Sequence, residues 1–210
     1  MKRIVSCVAF AAACGSDAID PDEVAQLVGT TIATPDGGGT VGAVADSLAL
    51  AFGVMPAGFT DEPGLTSGMH GSIEHRYIMM VCRDRELRVL PTCTTETDSA
   101  VLASAWTGEH VQRSGMWSIT NLQFWRPAID GTSELALSGN GYEITATETE
   151  NLLAPRHMIG GTLHLDLEVT HGVDHATMAA DVYFDDTMRS ASLVLDGNEY
   201  RVDLATGGVE

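Results

Sequence analysis

The sequence predicts a mostly β (α+β) protein: a curved antiparallel meander sheet or partial barrel, with two short N-terminal helices packed on its apolar face. Apolar residues recur at helical spacing only before residue 53, whereas most of the later chain alternates between apolar and polar residues. Short breaks containing Gly or Pro separate the alternating segments, with no helical pattern between them. Such direct connections favour a meander over βαβ units, which need a long crossover.

Two helices are expected at the start of the folded chain. The first begins at Asp20-Pro21, because an Asp side chain caps free backbone N–H groups and Pro suits the first turn. Its apolar face precedes Gly29. The second runs from Thr40 to Phe52, after a glycine-rich linker. The apolar positions at helical spacing in the two helices are Val24, Leu27, Val28, Val41, Val44, Leu48 and Phe52.

The first strands are expected after residues 55–72, a segment that is rich in Gly and Pro and is expected to be irregular. The continuous apolar run from Tyr77 to Cys82 predicts a central strand that is covered on both faces. Between Met116 and Trp125 the apolar phase shifts by one residue, which predicts a β-bulge near Thr120-Asn121.

Beyond Gly131 the alternation is regular and one-sided. A hairpin is expected at Asp196-Gly197-Asn198, where Gly tolerates the positive φ of a tight turn. A sheet of this kind has one dry face and one wet face, and the two helices would cover the dry face. The apolar rows are Leu135 and Leu137; Tyr142, Ile144 and Ala146; Leu163, Leu165, Leu167 and Val169; Met178, Ala180, Val182 and Phe184; Leu193 and Leu195; and Tyr200, Val202 and Leu204.

The composition limits the partners of the protein. The chain carries 29 acidic and 11 basic side chains, for a formal net charge of −18 at pH 7. A surface with this much negative charge repels phosphate groups. We therefore expect no nucleic-acid partner and no docking on anionic lipid headgroups. Hydrophobic residues make up 44% of the chain, enough for one sizeable core.

The N-terminus has the pattern of an export signal. Lys2 and Arg3 precede an apolar stretch, Ile4–Ala13, which is too short to span a bilayer. Small residues then lead into Cys14-Gly15. The alternatives are an ordinary secreted protein that is cleaved nearby and a buried N-terminal helix.

The run Ala11-Ala12-Ala13-Cys14 resembles the lipobox of bacterial lipoproteins, with Ala11 where that pattern usually has Leu. The resemblance implies a signal peptide over residues 1–13, a lipidated tether over 14–19 with the acyl chains on Cys14, and a single mostly β domain over 20–210. It also implies a membrane partner, reached through the lipid anchor, in the bacterial cell envelope. Gly15 follows the cysteine, and in this position it resembles the sorting residue of lipoproteins that are directed to the outer membrane.

Two cysteines remain for the folded domain. Cleavage would remove Cys7 and acylation would occupy Cys14, which leaves Cys82 and Cys93 as the one possible pair. In an oxidising compartment this pair predicts a structural disulfide. Redox and metal-binding pairs usually have CxxC spacing, which this pair lacks.

The densest group of potential metal ligands lies on one predicted strand and the turn after it. Imidazole and carboxylate groups of this kind bind zinc or another divalent ion. The wet face of an amphipathic strand followed by a polar turn would hold the same residues, and we favour that interpretation. We therefore expect no metal site, no cofactor and no catalytic residue. The group comprises His164, Asp166, Glu168, His171 and His175.

A second histidine pair is weaker. His70 and His75, with Glu74 between them, are five residues apart, a spacing that matches neither helix nor strand geometry for joint ligation. We expect both to be surface histidines. The tryptophans could stack on sugars, but tryptophans among strands are more often core or sheet-edge residues. They are Trp106, Trp117 and Trp125.

The function expected from the sequence is that of a lipid-anchored envelope protein, non-enzymatic, which offers an acidic β-sheet surface for structure or interaction. One alternative is a carrier that binds a lipid or other apolar ligand inside the curved sheet, in a cavity beside Leu165, Val182 and Val202. A second alternative is a metal-dependent hydrolase that uses His164 together with His171 and His175.

Overall fold

A computed structural model describes residues 18–124, 126–154, 159–185 and 189–210. The proposed signal peptide, Cys14 and Trp125 lie outside these residues. The elements are α1 (Pro21–Ile32), α2 (Gly39–Ala51), β1 (Thr60–Glu62), β2 (Leu65–His70), β3 (Ile73–Arg83), β4 (Val89–Leu90), β5 (Ser99–Thr107), β6 (Val111–Thr120), β7 (Ala128–Gly139), β8 (Tyr142–Leu153), β9 (Gly160–His171), β10 (Asp174–Phe184), β11 (Ser190–Leu195) and β12 (Asn198–Asp203).

The twelve strands form one antiparallel sheet in which each strand pairs with its neighbours in sequence. The short strand β4 departs from this order, because it pairs only with the end of β3 while β5 takes the other side of β3. The sheet is a curved meander that does not close into a barrel. The fold class predicted from the sequence is therefore confirmed.

Both helices begin close to where the sequence places them. The Asp20 carboxylate accepts a hydrogen bond from the backbone N–H of Asp22 at 2.9 Å, and Pro21 occupies the first turn. α1 continues past Gly29 to Ile32. Gly29 lets the C-terminal segment pack closely on the helix, since a Cβ there would lie 2.5 Å from Val209 Cγ2. α1 contacts β7 and β11, whereas α2 contacts β3 and β5.

The predicted apolar rows form the core between the helices and one face of the sheet, which we call the inner face. Leu165, Val182 and Val202 have no exposed surface, so this part of the inner face is filled by side chains and closed to solvent. Most other members of the rows are also buried, whereas Met178 and Tyr200 are partly buried at the edge of the core.

Two expectations about the early strands are wrong. Residues 55–72 are not irregular throughout, since β1 and β2 form within them. The run Tyr77–Cys82 is not covered on both faces: Ile78 is 44% exposed and Met80 is 59% exposed, although Tyr77 is buried. Side chains alternate across a strand, so the apolar residues of this run divide between the core and solvent.

The predicted bulge near Thr120 is also wrong. β6 and β7 stay in continuous register as far as the pair Thr120–Ala128. The strand then ends, and Asn121 turns the chain with a φ of 59°, which carries Leu122 into the core. A register shift occurs instead between Met79 and Val81, where β3 pairs with β5.

Two local predictions agree with the structure. The chain turns between β11 and β12 at Asp196 and Gly197, which have φ values of 47° and 84°. Cys82 and Cys93 lie at disulfide distance, with their Cα atoms 5.4 Å apart. Among the described residues, no helix has the length and apolarity needed to cross a membrane.

Candidate metal centre

A hairpin brings two histidines together on the inner face. In the β2–β3 pairing, His70 lies opposite Ile73 and Gly68 lies opposite His75, so both imidazoles point to the same side as diagonal neighbours. Their ring centroids are 4.8 Å apart. A spacing of five is therefore compatible with joint ligation when a two-residue turn lies between the histidines. The expectation of surface histidines is wrong, since His75 is fully buried and His70 is partly buried.

Asp46 on α2 completes the group. Its Oδ2 atom lies 2.8 Å from His70 Nε2 and accepts a hydrogen bond from the Tyr77 hydroxyl at 3.1 Å. The Tyr77 oxygen lies 3.2 Å from His75 Nδ1. One potential ligand atom from each of Asp46, His70 and His75 lies within 4.8 Å of the other two.

Burial shifts the pKa values of His75, Asp46 and Tyr77. Burial, followed by the positive charges of His70 and Arg113, lowers the pKa of His75 to about 3, so its imidazole is neutral at pH 7. Burial also raises the pKa of Asp46, although hydrogen bonds from His70 and Tyr77 oppose the shift. Burial beside the Asp46 carboxylate raises the pKa of Tyr77 well above its usual value.

The hydrogen bonds also select one tautomer of His75. The Tyr77 hydroxyl has a single proton, which it donates to Asp46, so its oxygen accepts from the His75 Nδ1–H. The other ring nitrogen, Nε2, then carries a free lone pair. Nε2 is buried and has no hydrogen-bond partner among the described residues. A neutral imidazole whose second N–H is held by a hydrogen bond is the usual state of a metal-binding histidine.

Aromatic rings enclose the histidines. Trp106 stacks on His75 with ring centroids 5.1 Å apart, and Phe59 packs against both His70 and Tyr77. Gly68 makes room for this cover, because a Cβ there would lie 2.3 Å from the Phe59 ring. The group is thus held in a largely water-free setting, where electrostatic attraction to a cation is stronger than in water.

Behind Trp106 lies a fully buried ion cluster. Arg113 donates from Nε to Glu148 and from Nη2 to Glu150. Its guanidinium carbon also lies 4.4 Å from the Trp106 ring centroid and 5.1 Å from that of Trp117. Burial raises the pKa of Glu148, Arg113 opposes the shift, and the negative charge of Glu150 adds to it.

Hydrogen bonds from neighbouring side chains support Glu150. Its Oε1 atom accepts from Trp117 Nε1 at 3.1 Å and from Ser133 Oγ at 2.9 Å. The sequence pattern contained a signal for this cluster, because positions 148 and 150 continue the inward phase of Tyr142, Ile144 and Ala146 yet hold Glu. Trp106 and Trp117 are core residues, as predicted.

Of the predicted ligands on β9 and β10, the structure brings His164 and Asp166 together, with His164 Nε2 3.4 Å from Asp166 Oδ1, but it does not bring His171 and His175 to them. His164 and Asp166 point to the side of the sheet opposite the helices, whereas His171 points to the inner face and stacks on Tyr142 with ring centroids 4.2 Å apart. His175 pairs across the hairpin with Thr170, six residues or about 20 Å along β9 from His164. His164 Nδ1 is instead 2.7 Å from Asp181 Oδ1.

Sequence reasoning missed Asp46 as a ligand, because its approach to the histidines depends on how α2 packs on the sheet. The available signal was a charged residue on a helix that is otherwise almost wholly apolar or small. Two imidazoles and one carboxylate can hold a divalent transition metal while leaving a position open. No family model, curated protein or solved structure matches the chain, so the chemistry of the site rests on its own geometry.

Proposed function

We propose that the protein is a non-enzymatic, lipid-anchored envelope protein that binds one divalent transition-metal ion, preferably Zn²⁺, through Asp46, His70 and His75. The observation that carries the metal proposal is the convergence of two imidazoles and a carboxylate within 4.8 Å on the inner face. The neutral state of His75 supports it, because a metal binds the unprotonated imidazole. Zn²⁺ suits a mixed set of nitrogen and oxygen ligands.

Small side-chain movements would form the coordination shell. Tetrahedral zinc with bonds of about 2.0–2.1 Å places its ligand atoms roughly 3.4 Å apart. The present separation of His70 Nε2 and Asp46 Oδ2 is shorter, at 2.8 Å, and all three ligand atoms lie within 4.8 Å of one another. The ion would replace the His70–Asp46 hydrogen bond. Tyr77 would keep its hydrogen bond to Asp46 and orient that carboxylate.

Calorimetric titration of the EDTA-treated protein with zinc sulfate tests the site. We expect one ion per chain. At free zinc about a hundredfold above Kd, folding should gain about 2.7 kcal/mol, which raises Tm by about 5–10 °C for a domain of this size. Asp46→Asn and His70→Ala should each abolish the stoichiometric binding.

His110→Ala is the matched control, because the His110 side chain is 69% exposed and His110 is not part of the group formed by Asp46, His70 and His75. It should bind zinc as the unmodified protein does. Zinc binding that survives both Asp46→Asn and His70→Ala, or a chain that binds no zinc stoichiometrically, would show that the group is only a hydrogen-bonded part of the core.

The anchoring proposal rests on the sequence before the fold. The positive residues, the apolar stretch and Cys14 stand ahead of α1, whose capping residue is Asp20. Cells fed radiolabelled palmitate should label the protein, and Cys14→Ser should remove the label. We also expect the unmodified protein in the outer-membrane fraction. Label that remains after Cys14→Ser, or a mature protein that carries no acyl chain, would contradict the proposal.

A further inference from the structure

The side of the sheet opposite the helices, which we call the outer face, has an uncharged region on two central strands. No outward residue of β5 or β6 is charged, in a chain with a net charge of −18. Outward positions on β8 and β9, by contrast, include Glu143, Asp166 and Glu168. The outward residues of β5 and β6 are Ser99, Val101, Ala103, Ala105, Thr107, Gln112, Ser114, Met116, Ser118 and Thr120.

Large apolar side chains project from the same region. Met116 on β6 is 52% exposed, and Ile78 and Met80 on β3 are 44% and 59% exposed. The helices contact the inner face, and no described element covers these side chains. A contiguous exposed apolar patch on a highly charged protein marks a surface that another molecule covers.

Charges of opposite sign border the uncharged region. The register aligns Arg76, Ala105, Ser114 and Glu134 in one row across β3, β5, β6 and β7. Arg76, whose guanidinium also contacts the Glu74 carboxylate of the same strand at 2.8 Å, is therefore on one side of the region, and Glu134 is on the other side at the same level along the strands. The adjacent row runs from Ile78 through Ala103 and Met116 to Thr132.

We propose that a second copy of this chain covers the region, by packing its own outer face against it about a two-fold axis that runs parallel to the strands between β5 and β6. This axis exchanges β3 with β7 and β5 with β6. Arg76 then faces Glu134 of the second copy, and the same pair forms a second time by symmetry.

The same two-fold rotation places large side chains of one copy opposite smaller side chains of the other. Met116 faces the small Ala103 of the second copy, and Ile78 faces Thr132. A groove of about 430 Å³ lies beside Met116 over β6, β7 and β8, bordered by Ser118, Asp130 and Thr132. The projecting β3 side chains of the second copy would lie over this groove.

The area is sufficient for a specific dimer. Four strands each contribute five outward positions, from the level of Glu74 to the level of Arg83. Each position covers about 30 Å² at the usual strand spacing and rise. The outward positions of one copy together cover about 600 Å², before the extra surface of projecting side chains is added. The total of about 1,200 Å² is at the lower end of standard protein interfaces.

Sedimentation equilibrium of the Cys14→Ser chain, which carries no acyl group that could itself associate, tests the proposal. We expect a mass twice the 22.2 kDa of the full chain, less any cleaved leader. Met116→Glu should convert it to monomer. Val173→Glu, at an 88% exposed apolar residue in the β9–β10 turn, is the matched control and should remain dimeric.

Charge reversal tests the geometry itself. Arg76→Glu and Glu134→Arg should each raise the dimer Kd about tenfold or more, because each creates two like-charge pairs. An equimolar mixture of the two variants should recover dimer of unmodified affinity. In the mixed dimer the introduced glutamate of one variant faces the introduced arginine of the other, and the remaining Arg76 faces the remaining Glu134.

A chain that is monomeric at about 100 µM, a concentration at which even a weak specific dimer forms, overturns the proposal, and so does a dimer that survives Met116→Glu. A dimer that both charge variants weaken but their mixture does not restore also overturns it, because the two-fold axis would then be wrong.

Discussion

Replacement of Arg113 by Met should lower the free energy of unfolding by close to the most that a single substitution in this protein can. Arg113 is 2% exposed, and its guanidinium is the cation that both Glu148 and Glu150 bind. Without it, Glu148 must be buried as an unpaired anion or take up a proton. Because an ordinary Glu has a pKa of 4.5, protonation at pH 7 costs about 3.4 kcal/mol.

This figure agrees with the roughly 3–5 kcal/mol that follows loss of one partner from a buried ion pair. Urea denaturation monitored by tryptophan fluorescence should therefore show a loss of about 3–5 kcal/mol at pH 7, or a fall in Tm of about 6–20 °C. At pH 5 the protonation cost is only about 0.7 kcal/mol, so the loss should shrink by almost 3 kcal/mol.

The sign of this pH effect follows from the carboxyl group. Burial already raises the pKa of Glu148, and the loss of Arg113, which opposes that shift, raises it further in the variant. The folded variant therefore binds a proton that the unfolded chain does not, and it gains relative stability as pH falls. A loss below about 1 kcal/mol at pH 7, or an equal loss at both pH values, would refute the reasoning.

A compensated variant separates charge from packing. Arg113→Met combined with Glu148→Leu and Glu150→Gln removes every charge of the cluster, while the amide oxygen introduced at position 150 still accepts from Trp117 and Ser133. Replacement of a buried ion cluster by apolar groups of similar volume is often neutral or stabilising. We expect this triple variant to unfold within about 1.5 kcal/mol of the unmodified protein.

Three further substitutions test local features. Gly131→Ala should destabilise by about 2 kcal/mol in urea denaturation, because its Cβ would lie 2.4 Å from Trp117 Cδ1 and 2.8 Å from the Met116 carbonyl oxygen; an unchanged midpoint would contradict this packing. Gly197→Ala has open space around it but a φ of 84°, so the free energy of unfolding should fall by the conformational cost alone, about 1 kcal/mol, and the Tm by about 2–4 °C; an unchanged Tm would contradict the strained turn. His75 has a pKa of about 3 when folded and about 6.5 when unfolded, so its neutral form contributes stability above pH 6.5 that is lost towards pH 3. In EDTA, the free energy of unfolding of the unmodified protein should therefore fall more steeply on acidification than that of His75→Gln, by up to about 1.4 kcal/mol per pH unit. Parallel curves of unfolding free energy against pH would contradict the burial of a neutral imidazole.

The alternation of apolar and polar residues predicted burial correctly where one face of a strand is buried and the other is exposed to solvent. Leu163, Leu165 and Leu167 are buried as predicted, and Asp196 and Gly197 form the predicted turn. The same rule gave wrong results near Ile78, where outward residues are apolar. A run of apolar residues has the same appearance whether its second face meets the core or another surface, so periodicity could not separate the two cases.

The candidate site was less accessible to sequence reasoning. The two histidines were singled out but dismissed, because their spacing was compared with a single strand and not with a hairpin. Asp46 lies 24 residues before His70 and meets it only through the packing of α2. Conversely, His164 and His171 are close in sequence but point to opposite faces of β9.

The sequence by itself determined the two helices, the regular strands beyond Gly131, the meander and the apolar face that the helices cover, because these depend on local periodicity and turn chemistry. Only the tertiary structure decided which polar groups meet inside: Asp46 with His70 and His75, and Arg113 with Glu148 and Glu150. Those contacts join distant parts of the chain, and burial there shifts the pKa values of Asp46, His75 and Glu148. Periodicity carries information about which face a residue takes, but not about which distant residue lies across from it.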